Sequence, residues 1–150
     1  MNIFVTGGAG YIGSATAEAL IQAGHSVTVF DSLVTGHRAA VPEGTRFIHA
    51  SLDDSHALAE ALTSTKFDAI MHFAAFIEAG ESMKDPGNFF RNNFTNSLQL
   101  MELAVQAGVR KLVFSSTAAV YQSSEEPLTE ESPLGPTNVY GHTKLMTEQA

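Results

Sequence analysis

Thr6-Gly7-Gly8-Ala9-Gly10-Tyr11-Ile12-Gly13 decides the fold of this chain because of what flanks it. Met1 to Val5 is a short apolar run suited to a buried parallel strand, and Ser14 to Ala23 is a helix-forming run that closes at Gly24. The glycines therefore occupy a strand-to-helix turn. Glycine permits that tight turn and lets the backbone approach an anion, while the helix N-terminus offers unpaired N–H groups and a partial positive charge. This context implies a site for the pyrophosphate of a dinucleotide, the alternative being a glycine-rich loop without a ligand. Val27 to Phe30 forms a second apolar strand that ends on Asp31, eighteen residues beyond Gly13. A carboxylate there can accept hydrogen bonds from the adenosine ribose hydroxyls, and it would face a 2′-phosphate with like charge, so NAD is favoured over NADP. His37 and Arg38 lie close in sequence and act in the opposite sense, and a plain turn acid is the alternative role for Asp31.

The remaining apolar runs and helix-forming stretches alternate. Strands are expected at Asn2 to Thr6, Ser26 to Asp31, Thr45 to His49, Ala69 to Phe73 and Lys111 to Ser115; helices near Gly13 to Ala23, Ser55 to Leu62, Gly87 to Ala107 and Val139 to Ala150. Such alternation predicts an α/β fold with a parallel sheet wound on both faces, and the dinucleotide site predicts strand order 3-2-1-4-5. The long helix has Asp85 as N-cap, Pro86 at its first position, a stripe of Phe90, Phe94, Leu98, Met101 and Val105, and Gly108 as its stop.

Composition bounds the function. At 150 residues and 44% hydrophobic content, the chain reads as one globular domain, Met1 to Ala150, with enough apolar material for a core. It has no apolar run long enough to span a membrane, and Met1 leads directly into the first strand without a signal peptide, so a cytoplasmic location is expected. The absence of cysteine excludes disulfides and thiolate chemistry. A net charge of −8, from sixteen acids and eight bases, argues against nucleic-acid and anionic-membrane partners. The six histidines are scattered without a ligand-like pair, so no metal site is expected. Glu78 and Glu81 read as solvated loop acids, and Asp53 and Asp54 as caps for the following helix.

A second chemical constellation is Tyr140-Gly141-His142-Thr143-Lys144, with Ser115-Ser116-Thr117 closing the fifth strand. On a helix Tyr140 and Lys144 share a face. A phenol with pKa near 10 is a poor base at neutral pH, but an adjacent ammonium and an oxidised nicotinamide both favour phenolate. A Tyr/Lys pair beside NAD can then abstract a hydroxyl proton as hydride leaves the carbon. The bare spacing also describes an ordinary helix face.

The segments TGGAGYIGS, FDSLVTGHR, HFAAFIEAGES, DPGNFFRNN, KLVFSSTAAVY and YGHTKLMTEQ resemble, in order and spacing, the UDP-glucose (UDP-galactose) 4-epimerase family of the extended short-chain dehydrogenase/reductase superfamily. In that reading Gly7, Gly10 and Gly13 form the G-x-x-G-x-x-G turn, although Gly8, Gly10 and Gly13 also fit G-x-G-x-x-G. The resemblance covers essentially the whole chain and implies a Rossmann-type domain, tightly bound NAD and a transient 4-keto sugar. It implies that Tyr140 is the base for the sugar 4-hydroxyl, that Thr117 hydrogen-bonds that oxygen, and that Lys144 holds the nicotinamide ribose and lowers the tyrosine pKa. The cofactor set it implies is Gly7, Gly10, Tyr11, Ile12, Gly13, Asp31, Ser32, Ser51, Leu52, Phe73, Ala74, Ala75, Asn92, Ser115, Tyr140 and Lys144. Sugar-nucleotide dehydratases of the superfamily place acids just after the threonine, whereas Ala118 and Ala119 cannot transfer a proton, which favours epimerisation.

Three departures accompany the resemblance. Ala50-Ser51 replaces a Gly-Asp pair whose aspartate contacts adenine, Gln122 replaces a glycine after Tyr121, and the match stops about half-way along the family's length. The last implies that the small UDP-gripping substrate domain lies outside these residues, and it raises the alternative of an NAD-binding module or fragment without turnover. Sheet-edge exposure at Lys111 to Ser115, and two helices that pack into a dimer interface in relatives, lead to the expectation of a homodimer or other self-association.

Overall fold

Five parallel strands form from the apolar runs: β1 Asn2–Thr6, β2 Ser26–Asp31, β3 Arg46–His49, β4 Ala69–His72 and β5 Leu112–Phe114, in the expected order β3-β2-β1-β4-β5. A computed structural model describes all residues from Met1 to Ala150, and they group into two units, Met1–Ala74 with Gln99–Ser115, and Ala75–Leu98 with Ser116–Ala150.

The first unit contains the whole sheet. Side chains alternate along a strand, so Ile3 and Val5 point to one face of β1 and Phe4 to the other. Helix α1, Tyr11–Gln22, contributes Ala17 to the face of Ile3, Val5, Val27 and Val29. Helix α2, Ser55–Thr63, contributes Leu58 and Leu62 to the opposite face, where Phe4 packs against Phe30 and edge-on to Phe67 with centroids 5.6 and 5.1 Å apart. The register aligns Thr6 with Phe30 and His72, and His72 with Phe114. The C-terminal ends of the central strands thus lie level, which is where ligands bind in such sheets. Asp54 caps α2 as expected, accepting the Ala57 N–H at 3.0 Å.

The second unit is built on helices. Its elements are α3 Ala79–Lys84, α4 Pro86–Phe89, a π-helical segment Phe90–Thr95, the first residues of α5 Asn96–Gln106, a 3₁₀ turn Ala118–Val120, and α6 Val139–Gln149. Three expectations are corrected here. Gly87 to Ala107 is not one regular helix, because the π-helical segment interrupts it; Asp85 does cap its start, accepting from Asn88 N at 3.2 Å. Its buried face is also not the apolar stripe: Phe89, Asn93, Ser97, Leu100 and Ala104 are buried, whereas Val105 is 61% exposed. Polar Asn93 and Ser97 face inward because both are hydrogen-bonded there, which apolar periodicity does not register. Glu81 lies in the first turn of α3, paired with Lys84 at 2.7 Å, rather than in a loop.

The Gln122 departure is matched from across the turn. Gln122 N–H donates to Pro133 O at 2.8 Å beside an isolated Tyr121–Leu134 bridge, and a Cβ on Gly135 would stand 3.2 Å from the Gln122 Cβ. The glycine opposite makes room for the larger residue.

Candidate functional site

In the first unit, the glycine turn is shaped by three different constraints. Gly7 has φ of 71°, a conformation open mainly to glycine, and a Cβ there would sit 2.5 Å from Ala74 N at the end of β4. A Cβ on Gly13 would fall on the Gly7 carbonyl oxygen, so α1 can start so close to β1 only with glycine at that position. Gly8 faces Val29, whose Cγ1 would lie 2.7 Å from an added Cβ. Hydrogen bonds from Gly7 N to Phe30 O, Gly10 N to Gly7 O and Phe73 N to Thr6 O tie the turn to three strands.

Gly10 differs. Its φ of −83° and ψ of 174° suit any residue, and a Cβ there would meet only Gly7 O, at 3.3 Å. The protein itself does not require glycine at this position, whereas a ligand approaching the turn would. No side chain caps α1 and no acid lies in its first turn, while Tyr11 and Ile12 stand 93% and 59% exposed around that end. An uncapped, acid-free helix start beside an open glycine fits a pyrophosphate.

Asp31 ends β2 and is 8% exposed. Its carboxylate accepts from Ala9 N at 2.9 Å and Leu33 N at 2.8 Å, joining the glycine turn to the segment that follows β2. It therefore acts as a turn acid, and each oxygen retains a lone pair for a ribose hydroxyl. Ser32 O accepts from the His49 ring nitrogen at 3.1 Å, Ser51 is half-buried, and Leu52 is buried with its carbonyl bonded to Gln99 Nε2 at 2.6 Å. Ser115 N donates to His72 O at the end of β5.

In the second unit, α6 presents Tyr140 from its first turn. Asn138 caps the helix by accepting the Gly141 N–H at 2.8 Å. The Tyr140 backbone is then held at both ends: its N–H donates to buried Ser82 Oγ at 3.1 Å, and its carbonyl accepts from Thr143 Oγ1 at 2.7 Å. Asn93 Nδ2 donates to that threonine hydroxyl at 3.2 Å and to Phe76 O, while Asn93 Oδ1 accepts from Phe76 N and Asn92 Nδ2. The Asn93 carbonyl accepts from the hydroxyls of Ser97 and Thr147. Thr117 starts the 3₁₀ turn, its Oγ1 accepting from Ala119 N at 3.2 Å. A Cβ on Gly141 would fall on the Ala119 carbonyl, so this glycine is what brings α6 against the threonine turn. Ser116 Oγ beside it is buried without a hydrogen-bond partner, an atom that a bound group would satisfy.

Ser82, Asn93 and Thr143 were not singled out by the sequence reading. The signal for Asn93 was present, since Asn92-Asn93 interrupts an otherwise phenylalanine-rich helix with polar residues.

Lys144 follows Tyr140 by one turn and is 3% exposed; burial lowers its pKa from 10.5 to about 8. The ammonium is thus still the major form at pH 7. Below pH 8 both folded and unfolded chains carry the proton and the fold bears the full desolvation cost. Between pH 8 and 10.5 only the unfolded chain binds it, so stability rises with pH across that window, by up to about 3 kcal/mol. Denaturant unfolding at pH 7.5 and pH 10 should show this rise in the unsubstituted protein relative to Lys144→Met. An identical pH response in both would show that Lys144 is not the group responsible.

Against known proteins, residues 3–150 match the model of the NAD dependent epimerase/dehydratase family. The chain is 47% identical over 150 residues to a UDP-glucose 4-epimerase of Lacticaseibacillus casei, covering 99% of this chain and 45% of that one. Among solved structures it resembles the UDP-glucose 4-epimerase of Brucella ovis in complex with NAD, at TM-score 0.95 and 37% identity, over 99% of this chain and 46% of that one. It also resembles the Thermotoga maritima UDP-glucose 4-epimerase with UDP-glucose, at TM-score 0.94 and 32% identity, over 99% and 49%. The chain thus spans about half the length of the relatives it matches. From the strand order, the glycine turn and a match over nearly every residue, the chain belongs to the NAD dependent epimerase/dehydratase family.

Proposed function

We propose that these 150 residues are the NAD-binding domain of a sugar-nucleotide 4-epimerase that interconverts UDP-glucose and UDP-galactose, an isomerase, with the UDP-gripping part of the relatives lying outside them. The observation that carries the reading is the second unit's arrangement of α6 against the Thr117 turn, with Tyr140 clamped by its backbone, Lys144 buried one helical turn later and no acid at Ala118 or Ala119. Bound NAD supplies the acceptor, and then the donor, of the hydride at the sugar C4. Tyr140 Oη takes the 4-hydroxyl proton as that carbon becomes a carbonyl, and returns it when the carbonyl is reduced from the other face. Thr117 Oγ1 donates a hydrogen bond to the same oxygen, and the Lys144 ammonium favours the phenolate while holding the nicotinamide ribose. Gly7, Gly10, Tyr11, Ile12 and Gly13 hold the pyrophosphate, and Asp31 with Ser32 the adenosine ribose.

Incubation with UDP-galactose and NAD, read as formation of UDP-glucose, tests the activity. Turnover requires the substrate-binding half, so these residues alone are expected to bind NAD and to show little or none. Binding without turnover once that half is supplied would favour the non-catalytic module instead.

The same residues are expected to self-associate. β5 is an edge strand whose Leu112 and Val113 are 38% and 53% exposed, a template for pairing, and Val105 of α5 is 61% exposed. Light scattering at micromolar concentration should give a mass above that of one chain; a stable monomer there would overturn the expectation. We assign the protein to the cytoplasm.

A further inference from the structure

Within the first unit, the arginine closest in sequence to Asp31 is held away from its carboxylate. The segment after β2 folds back on the glycine turn: His37 N–H donates to Ala9 O at 2.9 Å, and a Cβ on Gly36 would lie 3.0 Å from Asp31 Oδ1. The backbone is thereby pinned up to His37, and Arg38 is the next residue. Arg38 does not turn back toward Asp31. Its guanidinium carbon sits 4.5 Å from the centroid of the Phe47 ring on β3. Phe47 in turn stacks on His49, with centroids 6.2 Å apart and planes at 18°, and His49 bonds to Ser32 O and pairs across the strands with Asp31.

We infer that Phe47 is a specificity-determining residue: by holding Arg38 over its ring it withholds the one guanidinium that would otherwise pair with a phosphate on the adenosine 2′-hydroxyl. This rests on the dinucleotide reading of the glycine turn. Rejection of a 2′-phosphorylated dinucleotide then has two separable parts, repulsion by the Asp31 carboxylate and an attraction that Phe47 keeps engaged elsewhere. Arginine is the residue whose planar fork suits a phosphate, and releasing it from one half-buried ring changes affinity by a modest factor rather than by orders of magnitude.

The test is calorimetric titration of the chain with NAD⁺ and with NADP⁺, which needs no turnover. Asp31→Asn removes the charge, keeps one oxygen for the loop N–H groups, and should raise NADP⁺ affinity relative to NAD⁺. Adding Phe47→Leu should raise NADP⁺ affinity by a further factor of roughly three to ten while leaving NAD⁺ affinity unchanged. Adding Arg38→Ala to that pair should remove the gain, whereas Arg38→Ala beside intact Phe47 should change little. Phe47→Tyr keeps the ring and should behave like the parent, which separates ring contact from packing, and thermal melts identify any variant that fails to fold. A gain that survives Arg38→Ala, or no gain on Phe47→Leu in a folded variant, overturns the inference. Failure of the unsubstituted chain to bind NAD⁺ at all overturns the dinucleotide reading, and the inference with it.

Discussion

Gly13→Ala is expected to destabilise the fold by at least about 3 kcal/mol, whereas Gly10→Ala is expected to leave the fold intact and to weaken NAD binding at least about tenfold, or 1.4 kcal/mol. The two glycines lie three residues apart in one turn, yet the constraints on them differ. An added Cβ at Gly13 meets only backbone, the Gly7 carbonyl above all, and backbone between β1 and α1 cannot rotate aside as a side chain does. Relief requires α1 to move away from the sheet, which would open the contact of Ala17 with Val5 and Val29. At Gly10 the backbone is extended and the single close neighbour, Gly7 O at 3.3 Å, needs a shift of only a few tenths of an ångström. The methyl group would instead occupy the approach to the uncapped N–H groups of α1. Circular-dichroism melts and NAD titration of both variants separate the effects. Undiminished NAD affinity in Gly10→Ala would remove the argument that this glycine is kept for a phosphate, and an unshifted melt in Gly13→Ala would show that α1 adjusts freely.

The sheet was legible in the sequence because its signals are local. Each strand carries a short apolar stretch, and a parallel sheet with a dinucleotide turn allows few strand orders. Helix α6 was legible for the same reason, since Tyr140 and Lys144 share a face one turn apart, although its Asn138 cap was not singled out. What could not be read was whatever depends on partners distant in sequence. Ser82 meets Tyr140 across 58 residues and Asn93 meets Thr143 across 50, so neither bond leaves a periodic trace. The apolar stripe of the long helix misled for a related reason: burial there follows hydrogen-bond satisfaction at Asn93 and Ser97, and the π-helical segment rotates the later residues away from a regular helical face. Helix α3 escaped because Ala79–Lys84 is short and carries no apolar stripe. Asp31 shows a third kind of limit, a residue whose two candidate roles are compatible, since the carboxylate that braces the loop keeps lone pairs for a ligand.

Tyr140→Phe is expected to lower turnover by on the order of a hundredfold or more, measured in a chain that carries the substrate-binding half of the relatives, with NAD affinity hardly changed. The substitution deletes one oxygen and leaves the ring. The backbone bonds that place residue 140, to Ser82 and from Thr143, do not involve that oxygen, so the remaining phenyl group should stay where it is. The function expected to be lost is proton transfer at the sugar 4-hydroxyl, and no neighbour replaces it: the Thr117 hydroxyl can donate a hydrogen bond but is too weak an acid to exchange a proton at neutral pH, and Ala118 and Ala119 carry no ionisable group. Lys144→Ala should behave differently, reducing both turnover and NAD affinity, because it removes a buried cation proposed to hold the cofactor ribose as well as to favour the phenolate. Single-turnover rates together with NAD titration distinguish the two patterns. A Tyr140→Phe variant with near-parental turnover would move the proton-transfer role to another group. A variant that lost NAD as completely as Lys144→Ala would show that the phenol acts chiefly in binding.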